Sequence, residues 1–176
     1  HRELTVDTHC IDREKVYGVN VAQEGINSIS TLDLYRIDPP KIDESKIDIK
    51  VNFTSLVEDF IRVDNQRFIS RTIVTDSAFF KMFHYPLLEG ELLLDKPTSV
   101  LLMKEYAKKL FGDKNPIGQV IRNSNEKDLI VEGILDEPAC KTTIEFDMVV
   151  SNHLSSRWSR MPIEFFYFRP DVDMEE

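Results

Sequence analysis

The chain has 176 residues, of which 41% are hydrophobic and 30% charged, and it carries a net charge of −9. This length suits one large domain or two small lobes, and the composition is typical of a folded protein rather than a disordered one. The acidic balance argues against nucleic acid and against an anionic membrane surface as partners.

The sequence contains no apolar run of the roughly 18 residues that a membrane-spanning helix needs. Its opening segment, HRELTVDTHC, has no apolar core and does not resemble a signal peptide. Because the first residue is His1 rather than Met, we expect a bounded fragment of a longer polypeptide.

The first part of the chain is predicted to consist mainly of strands. Apolar side chains at every second position predict strands at 15–21, 32–37, 47–53, 60–63 and 68–74. The clearest alternation is that of 47–53, which predicts one buried and one solvated face. Residues 64–67 predict a hairpin between the last two strands, since Asp and Asn tolerate turn conformations.

The middle of the chain alternates between short helices and strands. We predict a helix at 78–83, a bend at 86–90, a strand at 100–103, a helix at 104–111, and strands at 118–122 and 129–135 joined by a polar turn. Gly112 is expected to end the second helix, because glycine accepts a left-handed backbone. Met103 stands at the capping position and cannot cap, which costs about 1 kcal/mol. That helix must therefore depend on its apolar stripe for stability.

The last part of the chain returns to strands. Alternation at 144–150 predicts a strand with one buried face, and a final strand is predicted at 165–169. Trp158 falls in a polar loop or short helix, and Asp171 is expected to cap a helix that the chain end interrupts.

No catalytic or metal-binding motif is found in the sequence. The histidines lack zinc-ligand spacing, and Asp7, His9 and Asp12 are better explained as a solvated polar terminus than as a metal site. Residues 113–124 lack the carboxylates that a calcium loop needs at its fifth and twelfth positions. No phosphate-binding loop or nucleophile elbow occurs. We expect a protein without cofactor, metal or enzymatic activity.

An aromatic cluster is the strongest remaining feature, formed by Phe79, Phe80, Phe83 and Tyr85. Two interpretations are open. The residues are either a docking surface for a partner or apolar cargo, or part of the core. Core is the favoured interpretation, because such side chains are usually buried.

Four segments resemble a known family when they are taken in order: AFFKMFHYPLLEGE, SVLLMKEYAKKLFGDKNPIG, VEGILDEP and IEFDMVVS. The resemblance is to the MacB-like periplasmic core domain, the extracytoplasmic part of FtsX-like ABC-transporter permeases. It implies an α+β fold with two lobes. A Porter-like lobe, a mixed sheet with helices, would comprise 1–75 and 136–176, and a small Sabre-like α+β lobe would be inserted at 76–135.

The resemblance also implies a function. Such a domain lies on the periplasmic side of the bacterial inner membrane and couples ATP hydrolysis by a separate cytoplasmic ATPase to export or to periplasmic mechanical work. The implied partners are that ATPase, reached through the membrane part, a second permease copy and a periplasmic protein. The alternatives are a free-standing periplasmic binding or adaptor protein and, less favoured, a hydrolase with an unrecognised carboxylate pair.

Two further expectations concern pairing within the chain. In an oxidising periplasm Cys10 and Cys140 could form a disulfide, although two unpaired thiols are the simpler interpretation. If the Sabre-like lobe is inserted, strands from both ends of the chain share one sheet. The strands at 100–103, 118–122 and 129–135 would then form a separate small sheet under the helix at 104–111.

Overall fold

The computed structural model describes residues 16–20, 44–140, 142, 144–154 and 163–168. Within them the strands are β1 Val16–Asn20, β2 Ile47–Val63, β3 Gln66–Thr75, β4 Leu87–Gly90, β5 Ser99–Met103, β6 Val120–Asn123, β7 Asp128–Leu135, β8 Met148–Ser151 and β9 Ile163–Phe168. The helices are α1 Ala78–Met82 and α2 Lys104–Phe111, and short 3-10 turns cover Glu44–Lys46 and Asn152–Leu154. The predicted α+β class is confirmed.

Strand pairing closes part of the sheet into a ring. Going around the ring from strand to neighbouring strand, β2 pairs with β3, β3 with β8, β8 with β5, β5 with β7, and β7 with β6. The ring closes where β6 returns to β2, through Ile61 opposite Asn123 and Arg62 opposite Arg122. A closed set of strands leaves few unpaired backbone groups, which are the usual sites of unwanted strand addition.

The central strand of this arrangement is β8, which lies between β3 and β5. It runs parallel to β3, with Thr72 opposite Met148, and antiparallel to β5, with Val100 opposite Val150. Strands from before residue 75 and after residue 99 therefore belong to one hydrogen-bonded sheet. The expectation of a separate small sheet at 100–135 is wrong.

Both ends of the described chain meet in the same sheet. The strand β9 pairs antiparallel with β1, with Val16 opposite Tyr167, and also with the first part of β2. The expectation that strands from both ends share one sheet is confirmed.

Three strand predictions need correction. The predicted strands at 47–53 and 60–63 are parts of one strand, β2, which changes partner from β9 to β3 along its length. The predicted strand at 144–150 is shortened to Met148–Ser151, and all four of its residues are buried. A strand between two others, with both faces covered, does not need the alternation that the sequence pattern led us to expect.

The predicted bend at 86–90 is instead the strand β4, which pairs with β7 at the edge of the sheet. Gly90 has a φ of +78°, and a Cβ built on it would lie 2.0 Å from the carbonyl oxygen of Glu132. Glycine is required there both by the positive φ and by the close approach of two backbones.

The helix α2 has the predicted bounds and depends on packing. Met103 occupies its N-cap position without a side-chain cap hydrogen bond, as expected. Gly112 ends it with a φ of +61°, and its N–H donates to the carbonyl of Lys108 at 2.8 Å. On the inner side, Tyr106 is buried and its hydroxyl donates to the carbonyl of Ile69 at 3.0 Å.

Both predicted turns are present. Asp64 and Asn65 connect β2 to β3, and Asp64 has a φ of +52°. The turn between β6 and β7 is organised by Asn123, whose side-chain oxygen accepts from the backbone N–H groups of Asn125 and Lys127 at 3.0 and 2.9 Å.

Several predictions lie outside the described residues: the strand at 32–37, the Trp158 segment, the Asp171 cap, the Asp7, His9 and Asp12 group, and Cys10 with its proposed disulfide to Cys140.

Candidate functional site at the β3–β8 junction

The aromatic residues singled out from the sequence lie together in the core. Phe79 and Phe83 are 0% and 1% exposed, and Phe80 and Tyr85 are also buried. The Phe79 ring centroid lies 4.9 Å from that of Phe83 and 5.2 Å from that of Phe80. This burial favours the core interpretation, because very little of each of the four side chains is exposed.

One further aromatic residue belongs to this cluster and was not assigned to it from the sequence. The ring centroid of Phe146 lies 4.9 Å from that of Tyr85 and 6.3 Å from that of Phe79. The Tyr85 hydroxyl also donates to the backbone carbonyl of Ile144 at 3.0 Å. The cluster therefore fixes the segment that leads into β8 against the segment that follows β3.

Arg71 binds that same segment from the exposed side of the sheet. Its Nη1 lies 2.7 Å from Glu145 Oε2, and its Nη2 lies 2.9 Å from Asp147 Oδ1. The backbone N–H of Arg71 donates to Asp147 Oδ2 at 2.7 Å, and the N–H of Asp147 donates to the Arg71 carbonyl at 2.8 Å. Side chain and backbone thus hold the two segments together at one point.

The two carboxylates also affect the charged state of Arg71. The hydrogen bonds that the Arg71 guanidinium donates to Asp147 are the main cause that raises the pKa of Arg71 above its ordinary value, with a smaller contribution from Glu145 and against the opposing effect of burial. The Arg71 guanidinium is charged at every physiological pH.

The opposite end of the β3–β8 pair is also fastened. The Asn152 side-chain amide donates to Asp76 Oδ2 at 3.3 Å, and Asp76 Oδ1 accepts from the N–H of Ala78 at the start of α1. Next to it, the Ser151 hydroxyl donates to the carbonyl of Leu94 at 2.7 Å. We call the whole arrangement the β3–β8 junction, defined by Arg71, Glu145 and Asp147 at one end and by Asp76 and Asn152 at the other.

A cleft of about 690 Å³ adjoins the junction. Its lining includes Arg71, Tyr85, Cys140, Thr142 and Glu145. The Arg71 guanidinium already contacts two carboxylates, so the cleft does not present an uncompensated positive charge to an anion.

Within the residues that the structure describes, no group of three or more His, Cys, Asp or Glu side chains is placed to hold a metal ion. Likewise, no helix in the described ranges is both long enough and apolar enough to cross a membrane.

The comparisons with known proteins agree with one another on the kind of domain. The model of the MacB-like periplasmic core domain matches residues 9–175. The periplasmic region of MacB from Actinobacillus actinomycetemcomitans has a TM-score of 0.61 at 18% identity, with 74% of this chain and 62% of that chain covered. The extracellular domain of the noncanonic ABC-type transporter YknZ from Gram-positive bacteria has a TM-score of 0.57 at 16% identity, with 72% and 67% covered.

These solved structures share the fold, and the chain spans 62% of the length of the MacB structure. A search of curated proteins finds no significant match. Since the family model matches nearly the whole sequence, residues 9–175, the chain belongs to the family of MacB-like periplasmic core domains.

Proposed function

We propose that the chain is the periplasmic domain of an ABC-transporter permease in the bacterial inner membrane, and that it couples ATP hydrolysis by a separate cytoplasmic ATPase to export or to periplasmic mechanical work. The family match over residues 9–175 is the observation that carries this proposal. In it the domain transmits motion and holds no cofactor or catalytic site of its own.

A domain that transmits motion needs stiff connections between the parts that move. The β3–β8 junction supplies such a connection, because hydrogen bonds fasten both ends of a parallel strand pair. The chain leaves this pair after Thr75 and returns to it at Met148. Motion of the intervening residues therefore reaches the rest of the sheet through this fastened pair, and also through the pairing of β5 with β8 and of β6 with β2.

We further propose that the lobes are those of the family, with 1–75 and 136–176 forming the Porter-like lobe and 76–135 the inserted Sabre-like lobe. The pairing of β9 with β1 and β2 supports this division, since it unites both ends of the chain. Pairing of β8 with β5 adds a constraint: the inserted segment shares the sheet, so tilting it requires the sheet to bend.

The partners in this proposal are a second copy of the permease, the cytoplasmic ATPase reached through the membrane part, and a protein of the periplasm. Nucleic acid is not among the proposed partners, because proteins that bind it usually carry a basic surface and this chain has a net charge of −9.

The proposal is tested in the full-length protein in intact cells. A single cysteine at Lys114, an exposed loop position, is introduced after the native cysteines are replaced by Ser. We expect a membrane-impermeant maleimide to label it without lysis, and the ATPase to copurify with the permease. A cysteine on the ATPase is the control and should be labelled only after lysis. Labelling of Lys114→Cys that requires lysis would overturn the proposal.

A further inference from the structure

The outer face of four neighbouring strands carries a row of charged side chains. Arg67 on β3 lies opposite Arg62 on β2, and Arg62 lies opposite Arg122 on β6. The row ends at Asp128 on β7, opposite Arg122. Directly opposed residues of a sheet point to the same face, so these four side chains form one line across the strands.

Two apolar pairs flank this row on the same face. Phe60 lies opposite Ile69, and these side chains are 49% and 52% exposed. On the other side, Val120 lies opposite Ile130, and these are 50% and 38% exposed. Each of the four residues is two positions along its strand from a member of the charged row, which keeps it on the same face.

The charges of the row are only partly compensated. Arg62 pairs with Glu126, and Arg122 Nε lies 2.7 Å from Asp128 Oδ1. Arg67 lies over the Phe60 ring, with its guanidinium carbon 5.6 Å from the ring centroid, and has no carboxylate partner among the described residues. Like charges directly opposite each other destabilise a sheet, and Arg67 is the one arginine of the row for which no carboxylate among the described residues offsets this effect.

The spacing of the face suits a helix that lies across the strands. Neighbouring strands are about 4.8 Å apart, so the three arginines span roughly 10 Å, with the apolar pairs about 7 Å to either side. A helix has a diameter of about 10 Å, and residues three or four apart rise by about 5–6 Å. Carboxylates at that spacing can meet the arginines while apolar side chains beside them meet the two pairs.

We propose that this face docks an acidic amphipathic helix of a partner protein. We call it the arginine-row face and define it by the charged residues Arg62, Arg67 and Arg122 and the apolar residues Phe60, Ile69, Val120 and Ile130. Charge complementarity is the reason for choosing an acidic occupant. The three guanidinium groups outnumber the carboxylates of Glu126 and Asp128, so this face is positive although the whole chain has a net charge of −9. The inference does not depend on coupling to ATP.

The test uses the 176-residue chain and two synthetic helical peptides of 18 residues. One peptide carries Glu at three- and four-residue spacing with Leu on both sides, and the other carries Lys in place of every Glu. Binding is measured by fluorescence anisotropy, and the contact surface by amide chemical-shift changes. The variants are Arg67→Gln and Val120→Ser, with Lys114→Gln as the matched exposed control. Thermal unfolding checks that each variant is folded.

We expect the Glu peptide to bind about tenfold more tightly than the Lys peptide, with shift changes confined to β2, β3, β6 and β7. Arg67→Gln and Val120→Ser should each weaken binding by about threefold to tenfold, and Lys114→Gln should not. Added salt should weaken binding as well. The proposal is overturned by equal affinity for both peptides, by no binding at about 1 mM, by shifts elsewhere, or by a self-associating chain whose second copy occupies this face.

Discussion

Arg71 is the residue on which the junction depends most, because it connects two segments through both its backbone and its side chain. Its guanidinium contacts Glu145 and Asp147, and its backbone exchanges hydrogen bonds with Asp147. Bidentate, charge-assisted hydrogen bonds are stronger than single hydrogen bonds between neutral groups. The Arg71 side chain is nevertheless 49% exposed, so solvent screens part of this energy.

Replacing Arg71 with Met should lower the free energy of unfolding by about 1 kcal/mol, a value already reduced for solvent screening. The change leaves two carboxylates without their shared cation. Arg122→Met, which removes a more exposed arginine from a single partner, is the control and should cost less. Urea denaturation of the three proteins measures the difference. Equal stability of Arg71→Met and the wild type would contradict this role.

Asp128 provides a second test at this scale. The hydrogen bond from Arg122 is the main cause that lowers the pKa of Asp128 below its usual 3.8. A carboxyl with a lowered folded pKa adds stability above its unfolded pKa and loses it as the pH falls through the folded value. This contribution should therefore be constant above about pH 5 and disappear in the acid range below 3.8.

Arg122→Gln should raise the pKa of the Asp128 carboxyl toward its usual value, because the positively charged donor is replaced by a neutral one. Titration of the carboxyl carbon by NMR measures this directly. As a control, Lys114→Gln should leave the Asp128 titration unchanged. An unaltered Asp128 pKa in Arg122→Gln would show that the ion pair is absent in solution.

Side chains of the site differ in how far they could be predicted from sequence. Phe79, Phe83 and Tyr85 could be named because they cluster within one short segment, and core was their favoured interpretation. The contacts of Arg71 with Glu145 and Asp147 could not, because they arise from the parallel pairing of β3 with β8. No local pattern reports which distant strand becomes a neighbour.

At the scale of elements, the strand β4 depends on a glycine. Gly90 has a φ of +78° and lies against the backbone of Glu132, where a Cβ would approach the carbonyl oxygen to 2.0 Å. Gly118 has a similar φ of +76°, yet a Cβ there meets nothing within 4 Å. The two positions share the backbone requirement and differ in the available space.

Gly90→Ala should therefore destabilise the protein by about 3 kcal/mol or more, since backbone strain and a steric clash combine. Gly118→Ala should cost about 1 kcal/mol from the positive φ alone. Thermal or urea unfolding of both variants gives the comparison. A Gly90→Ala protein that is no less stable than Gly118→Ala would show that β4 does not pack against β7 as described.

Helices and strands could be predicted from the sequence where the residues that define them lie close together in the chain. The helix α2 has its predicted bounds because an apolar stripe and Gly112 both lie within a few residues. Short strands were harder, because pairing rather than propensity defines them. The Pro and Gly that mark both ends of β4 have the composition of a bend, and only the pairing with β7 makes the segment a strand.

For the whole molecule, the pairing pattern predicts an order of stability. The strands β5 and β8 are buried at every residue and lie between partners on both sides. The ring closes more weakly, since only two residue pairs join β6 to β2. Partial opening of the fold should therefore begin at β6.

Native-state hydrogen exchange measures this order. Amides of β5 and β8 that are bonded within the sheet should exchange only on global unfolding, whereas those of β6 should exchange through smaller openings. The edge strand β4 serves as a reference for a strand with one partner. Exchange from β8 as fast as from β4 would contradict the central position of β8.

The central claim is that this domain moves as a mechanical part of an ATP-driven permease. Its most direct test is the distance between spin labels on Lys114→Cys in two copies of the full-length permease, measured by electron spin resonance in the presence of the ATPase. We expect the distance distribution to shift between the nucleotide-free and the ATP-and-vanadate-trapped states. ATPase inactivated in its phosphate-binding loop should abolish the shift. An identical distribution in every nucleotide state, with the ATPase active, would contradict the account.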